Sequence, residues 1–138
     1  MASEQLKQAV KSIANMMRNG QEELAYDGYR SLFADPDFPR YSAEDQRVPL
    51  KLMVHTKRHE NIAPAYVVEA HRAAIGPLQE LAGIHGEPAD FEMLGMCQAM
   101  CGDEKGASTS YGIGLNIERA RNPQSDLCGS LMTRRASV

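Results

Sequence analysis

Leu6, Val10, Ile13 and Met17 return every three or four residues, with Ala9 and Ala14 beside them, and lay one apolar stripe along a helix over roughly 3–18. Asn19-Gly20 closes it, because glycine accepts the left-handed backbone that follows a helix. A second helix over about 21–34 turns Leu24, Ala25, Tyr29, Leu32 and Phe33 inward. It stops at Asp35-Pro36, since a residue before proline avoids helical geometry, and residues 35–41 form a linker. Ser42 as N-cap, with Glu44 and Asp45 behind it, opens a third helix that the pattern carries to about Arg58. Leu50, Met53 and Val54 face inward there, and Pro49 either kinks the helix or marks its first true turn. Pro64 starts a fourth, burying Tyr66, Val67, Ala70, Ala74, Leu78 and Leu81, with a bend at Gly76-Pro77 and an end between Gly83 and Gly86. The fifth and sixth helices follow over about 88–101 and 103–121. After Pro123 the apolar periodicity is too weak to predict an element, and 124–138 reads as a flexible tail.

Strand signals are sparse. Tryptophan is absent, aromatics make up 6% of the chain, and the one short β-like run, Tyr66–Val68, lies inside an Ala-rich helical pattern. The predicted fold is all-α: six helices in three consecutive hairpins over 1–123, then the tail. The breaks near residues 36, 86 and 123 are about forty residues apart, the signature of a two-helix unit that buries its apolar face by stacking on copies of itself.

The third hairpin, Phe91 to Pro123, carries more specific marks. Phe91 supplies a large aromatic, Leu94-Gly95 a Leu-Gly pair three residues on, and Ala107, Tyr111 and Gly114 the small, aromatic and small positions of a second helix. Gly95, Ala107 and Gly114 let helix backbones approach, while Phe91, Leu94 and Tyr111 fill the space between. This segment resembles a tetratricopeptide repeat. It departs from that pattern at Gln98, where the family prefers tyrosine, and at Pro123, one turn late. The first hairpin keeps only Ala25, Tyr29 and Asp35-Pro36, and the second aligns at Ala70 and little else. The resemblance implies a curved α-α superhelix whose first helices line a concave, protein-binding face.

On that expectation the third helix is the surface of interest. Arg47, Lys51, His55 and Arg58 fall in one narrow sector at 3.6 residues per turn, with His59 at its flank. Such a stripe reads first as an ordinary solvated helix face; as a groove it would attract a carboxylate, phosphate or acidic peptide, which arginines can grip bidentately. Met93, Met96 and Met100 recur on the fifth helix as core, or, if Met96 lines the groove, as an adaptable apolar pocket. The polar clamp by which some tetratricopeptide proteins hold chaperone tails is missing, because Val10, Ala14, Ala89 and Met93 occupy its positions.

Chemistry is harder to find. Cys97 and Cys101 share one helix face, but His55, His59, His71 and His85 form no partner motif, so buried structural thiols are expected in place of a metal site. No nucleophile elbow, phosphate loop or HExxH occurs, and the Gly-Ile-Gly at 112–114 lies within a helix, where no dinucleotide turn forms. No cofactor is expected. Arg134-Arg135-Ala136-Ser137 resembles a site for basophilic kinases such as the cyclic-AMP-dependent kinase, with Ser137 as acceptor.

Net charge is −3, without the basic bias of nucleic-acid binding, and no run reaches the roughly eighteen apolar residues of a membrane span. Three cysteines make no disulfide framework, and the opening MASEQLKQAV lacks the plan of a signal peptide, which together predict a cytoplasmic chain with reduced thiols. The expected function is a non-catalytic adaptor or scaffold that binds a protein or peptide segment, acidic if the basic stripe is used. A small secretion or assembly chaperone, which would be a homodimer, is the alternative among binding proteins. A helical metal-binding protein or enzyme using Cys97 and Cys101 is the alternative from another class.

Overall fold

The computed structural model describes residues 2–138, the side chain of Ala2 excepted. The described residues contain no strand and form seven α-helices: α1 (Ala2–Arg18), α2 (Glu22–Ala34), α3 (Ala43–Val54), α4 (Ala65–His85), α5 (Pro88–Met100), α6 (Glu104–Arg121) and α7 (Asp126–Ala136). A single 3-10 turn spans Phe38–Arg40. The all-α reading holds; the helix number is corrected from six to seven. By packing, the chain divides into two compact units, 1–77 and 78–138, with the division inside α4.

In the first unit α1 and α2 form an antiparallel pair around a tight turn. Gly20 takes φ +76°, and the Gln21 N–H donates to the Met16 carbonyl, closing α1 as the Asn-Gly pair predicts. Gly28 of α2 lies against Ile13, where an added Cβ would sit 2.9 Å from Cγ1. The core is aromatic. Tyr66, Tyr26, Tyr29, Phe33, Phe38 and Tyr41 follow one another with ring centroids 5.3–6.0 Å apart, a ladder from α4 through α2 into the linker. Buried Gln46 donates to the carbonyls of Tyr41 (2.8 Å) and Pro39 (3.3 Å), pinning that linker to α3. Leu24 is 53% exposed and Tyr26 1%, so the inward face of α2 is rotated from the expected one towards the ladder.

The end of the third helix differs from expectation, and that of the fourth agrees with it. The third helix stops at Val54, four residues before Arg58; His55 caps it, and Thr56 Oγ1 donates to the Leu52 carbonyl at 2.5 Å. The fourth runs unbroken through Gly76-Pro77 to His85.

The second unit is built on the α5–α6 hairpin. Gly102, at φ +82°, turns the chain, and Asp103 caps α6 by accepting from the Gly106 N–H at 2.9 Å. A Cβ on Gly95 would overlap the Tyr111 ring, and one on Gly114 would sit 3.0 Å from Phe91 Cβ. Ala107 is fully buried. Close approach at these small residues is the packing the sequence predicted. Gln98, in place of an aromatic, is buried and accepts from Ser110 Oγ at 2.6 Å, tying α5 to α6.

Residues 124–138 are not a flexible tail over their length. Ser125 caps α7 by accepting from the Cys128 N–H (3.1 Å) and donates through Oγ to Glu118 (2.5 Å). Cys128 and Leu131 then join Ala107, Tyr111 and Leu115 in one buried cluster. Two buried side chains on one face, with Leu127 partly buried beside them, suffice to dock this short helix.

Candidate functional site

A concavity lies between α1 and α3, in the first unit. Leu6, Val10 and Ala14 of α1 and Val48 of α3 line it, and its volume is about 300 Å³. The period of α1 puts Leu6, Val10 and Ala14 on one face, and the packing of α3 across them leaves a slot in place of a filled seam. Leu6 is buried, Val10 and Ala14 are half-buried, and Val48 is 51% exposed. Lys7 and Lys11 stand at the α1 edge, with Asp45 at the α3 end. A shallower hollow of about 240 Å³ adjoins it across Val48, lined by Glu44, Arg47 and Lys51. Apolar surface is thus flanked by four basic side chains against two acidic ones.

This arrangement takes up two of the predicted site residues, Arg47 and Lys51. His55 is the exposed C-cap of α3 and lines neither hollow. His59 is exposed in the segment 55–64 that follows. Met96 lies in the second unit, half-buried against the Tyr111–Leu115–Leu131 cluster, so it belongs with core and not with this groove.

Arg58 has another task. Its side chain is 13% exposed and donates to both carboxylate oxygens of Glu22, each at 3.2 Å, to Tyr26 Oη at 3.0 Å, and to Glu60. Its guanidinium carbon lies 5.3 Å from the centre of the Tyr26 ring. Tyr66 Oη also donates to Glu22, at 2.6 Å. These hydrogen bonds, Arg58's first and Tyr66's next, hold the Glu22 carboxyl below the usual carboxylate range. The cluster fastens segment 55–64 to α2, and its guanidinium is committed to that contact. Nearby His71 is buried beside Tyr26 with Nδ1 2.7 Å from the Val67 carbonyl, which fixes the Nδ1–H tautomer when the ring is neutral. Burial lowers its pKa.

Cys97 is buried and its thiol pKa is pushed up by desolvation, the opposite of what a reactive or metal-binding thiolate needs. Among the described residues no group of three or more His, Cys, Asp or Glu is placed to hold a metal ion. No helix among them is long and apolar enough to cross a membrane. Ser137 is exposed at the end of α7, and its Oγ donates to the Thr133 carbonyl at 2.9 Å.

The apolar slot was missed in the sequence because Leu6, Val10 and Ala14 count equally well as core. Val48 was the signal available: an aliphatic residue on the same side of α3 as Arg47 and Lys51, away from Leu50, Met53 and Val54. No protein-family model matches the sequence, and neither a curated protein nor a solved structure matches it.

Proposed function

We propose that the protein is a non-catalytic binding module of the tetratricopeptide-like kind, and that its α1–α3 groove takes an amphipathic, acidic segment of another protein. The observation that carries this reading is the groove itself: an apolar floor of Leu6, Val10, Ala14 and Val48 beside Lys7, Lys11, Arg47 and Lys51. Apolar anchors of a partner would fill the slot, and its carboxylates would meet the four cations. Packing of α1 on α3 supports the architecture, because stacked hairpins set their first helices side by side. The close approaches at Gly95, Ala107 and Gly114 support it in the third hairpin. Val10 and Ala14 are the positions where a chaperone-tail clamp would need polar groups; here they are apolar floor, so the partner's grip is hydrophobic first and ionic second.

The test is selection from a displayed library of peptides carrying Asp and Glu around Leu, Ile and Phe, followed by two variants. Val10→Asp should abolish binding of the selected peptides. Arg47→Glu with Lys51→Glu should weaken it by about tenfold at low salt and less at high salt. Selected peptides that bind both variants as well as the parent would refute the groove.

A further inference from the structure

Arg134, Arg135 and Ser137 form a kinase-like motif, and the structure gives the two arginines a second use. Arg134 Nε donates to Glu92 Oε2 of α5 at 2.9 Å, and Ser130 Oγ donates to the same oxygen at 2.5 Å. The Glu92 side chain is 8% exposed, so these two donors are what make its burial tolerable. The Arg135 guanidinium lies over Gly112 of α6, where an added Cβ would sit 3.2 Å from its carbon. Ser137 closes α7, its N–H on the Arg134 carbonyl and its hydroxyl on the Thr133 carbonyl. With α7 docked, the arginines and the acceptor hydroxyl cannot all be offered to a kinase cleft together.

We propose that Ser137 is a phosphorylation site for a basophilic kinase, gated by α7: the kinase takes the undocked helix, and the phosphate then keeps it undocked. In the transfer, Ser137 Oγ attacks the γ-phosphorus of the kinase's ATP, the bond to the bridging β–γ oxygen breaks, ADP leaves, and the hydroxyl proton passes to the kinase's catalytic carboxylate. Only the undocked fraction is substrate, so the apparent rate scales with that fraction. The product carries roughly −2 charge at the negative end of a helix dipole. It also stands three residues from Arg134 and competes with Glu92 for that guanidinium, leaving Glu92 buried with one donor fewer. Docking and modification therefore oppose each other, and by linkage each shifts the other equally. Leu131 and Cys128 leave with α7, which bares Tyr111, Leu115 and the half-buried Met96.

The full chain, incubated with the catalytic subunit of a cyclic-AMP-dependent kinase and ATP, tests this by mass spectrometry at Ser137 and by amide exchange over 126–136. Incorporation should be slow in the parent, about tenfold faster in Glu92→Gln, intermediate in Ser130→Ala, and absent in Ser137→Ala. After phosphorylation, exchange over 126–136 should rise about tenfold while that of α1 and α2 stays unchanged. Ser130→Ala keeps the test sound if Glu92→Gln does not fold, since it removes one hydrogen bond and no charge. No phosphate on Ser137 overturns the site. Equal rates in the parent and Ser130→Ala, or phosphorylation without faster exchange, overturn the gating.

Discussion

Replacing Arg58 with methionine separates its structural role from the binding role that its place in the basic stripe suggested. Methionine keeps an unbranched stem of similar length, so what is lost is the charge and its hydrogen bonds more than the packing. An exposed ion pair contributes under about 1 kcal/mol, whereas removing one partner of a fully buried pair costs roughly 3–5 kcal/mol. The Arg58 side chain is 13% exposed and that of Glu22 40%, which places this pair between those limits. Two charge-assisted bonds to Glu22, one to Tyr26 and the stack on its ring set the expected loss at about 2 kcal/mol. With a urea slope of about 2 kcal/mol per molar, the midpoint falls by about 1 M. Tyrosine fluorescence follows it, because Tyr26, Tyr29, Tyr41 and Tyr66 all lie in the first unit. The double-mutant cycle with Glu22→Gln should give a coupling of about 1 kcal/mol or more. A coupling under about 0.5 kcal/mol, or peptide affinity that drops while stability does not, would return Arg58 to the binding surface.

Gly95→Ala should cost about 2 kcal/mol in thermal unfolding, because its Cβ overlaps Tyr111, while Gly83→Ala, with open space around it, should stabilise α4 by about 0.5–1 kcal/mol. Leu131→Ala should cost about 3 kcal/mol; a flexible tail would show no change. His71 supplies a pH dependence: its folded pKa lies below the ordinary 6.5, so the unfolded chain takes up a proton that the folded chain refuses. Its stability contribution is complete above about pH 6.5 and declines as pH falls below that. His71→Phe should flatten the urea midpoint between about pH 7 and 5. Glu22, also depressed, acts in the same direction but in a lower window, declining below its ordinary 4.5, and that decline should shrink in Arg58→Met to the part the Tyr66 hydrogen bond maintains.

The helices with strong local signals were legible, and the residues that tertiary contacts captured were not. Gly20, Ser42 and Asp103 act through neighbours within four residues, and the helix ends they set fall within a residue or two of expectation. Arg58 has a helical neighbour pattern, but a carboxylate 36 positions earlier in the chain holds it, and no periodicity reports a partner at that distance. Tyr26 was overlooked for the same reason: its stacking neighbours, Tyr66 and His71, lie on α4. In α7 the apolar pair Cys128 and Leu131 is too short a pattern to predict a helix alone; the cap at Ser125 and the contact to Glu92 of another helix supply the rest. These misses share one consequence for the site. A stripe drawn by helical geometry mixes residues that the fold has used with residues it has left at the surface. Arg58 is used and Lys51 is left exposed, though the sequence spaces them alike. What distinguishes the surviving positions is apolar surface without a covering side chain: Val48 beside Arg47 and Lys51 has no neighbour that buries it, and the slot along Val10 and Ala14 continues from it. A basic helix face by itself is ordinary; a basic face bordering uncovered aliphatic carbon has a reason to be occupied.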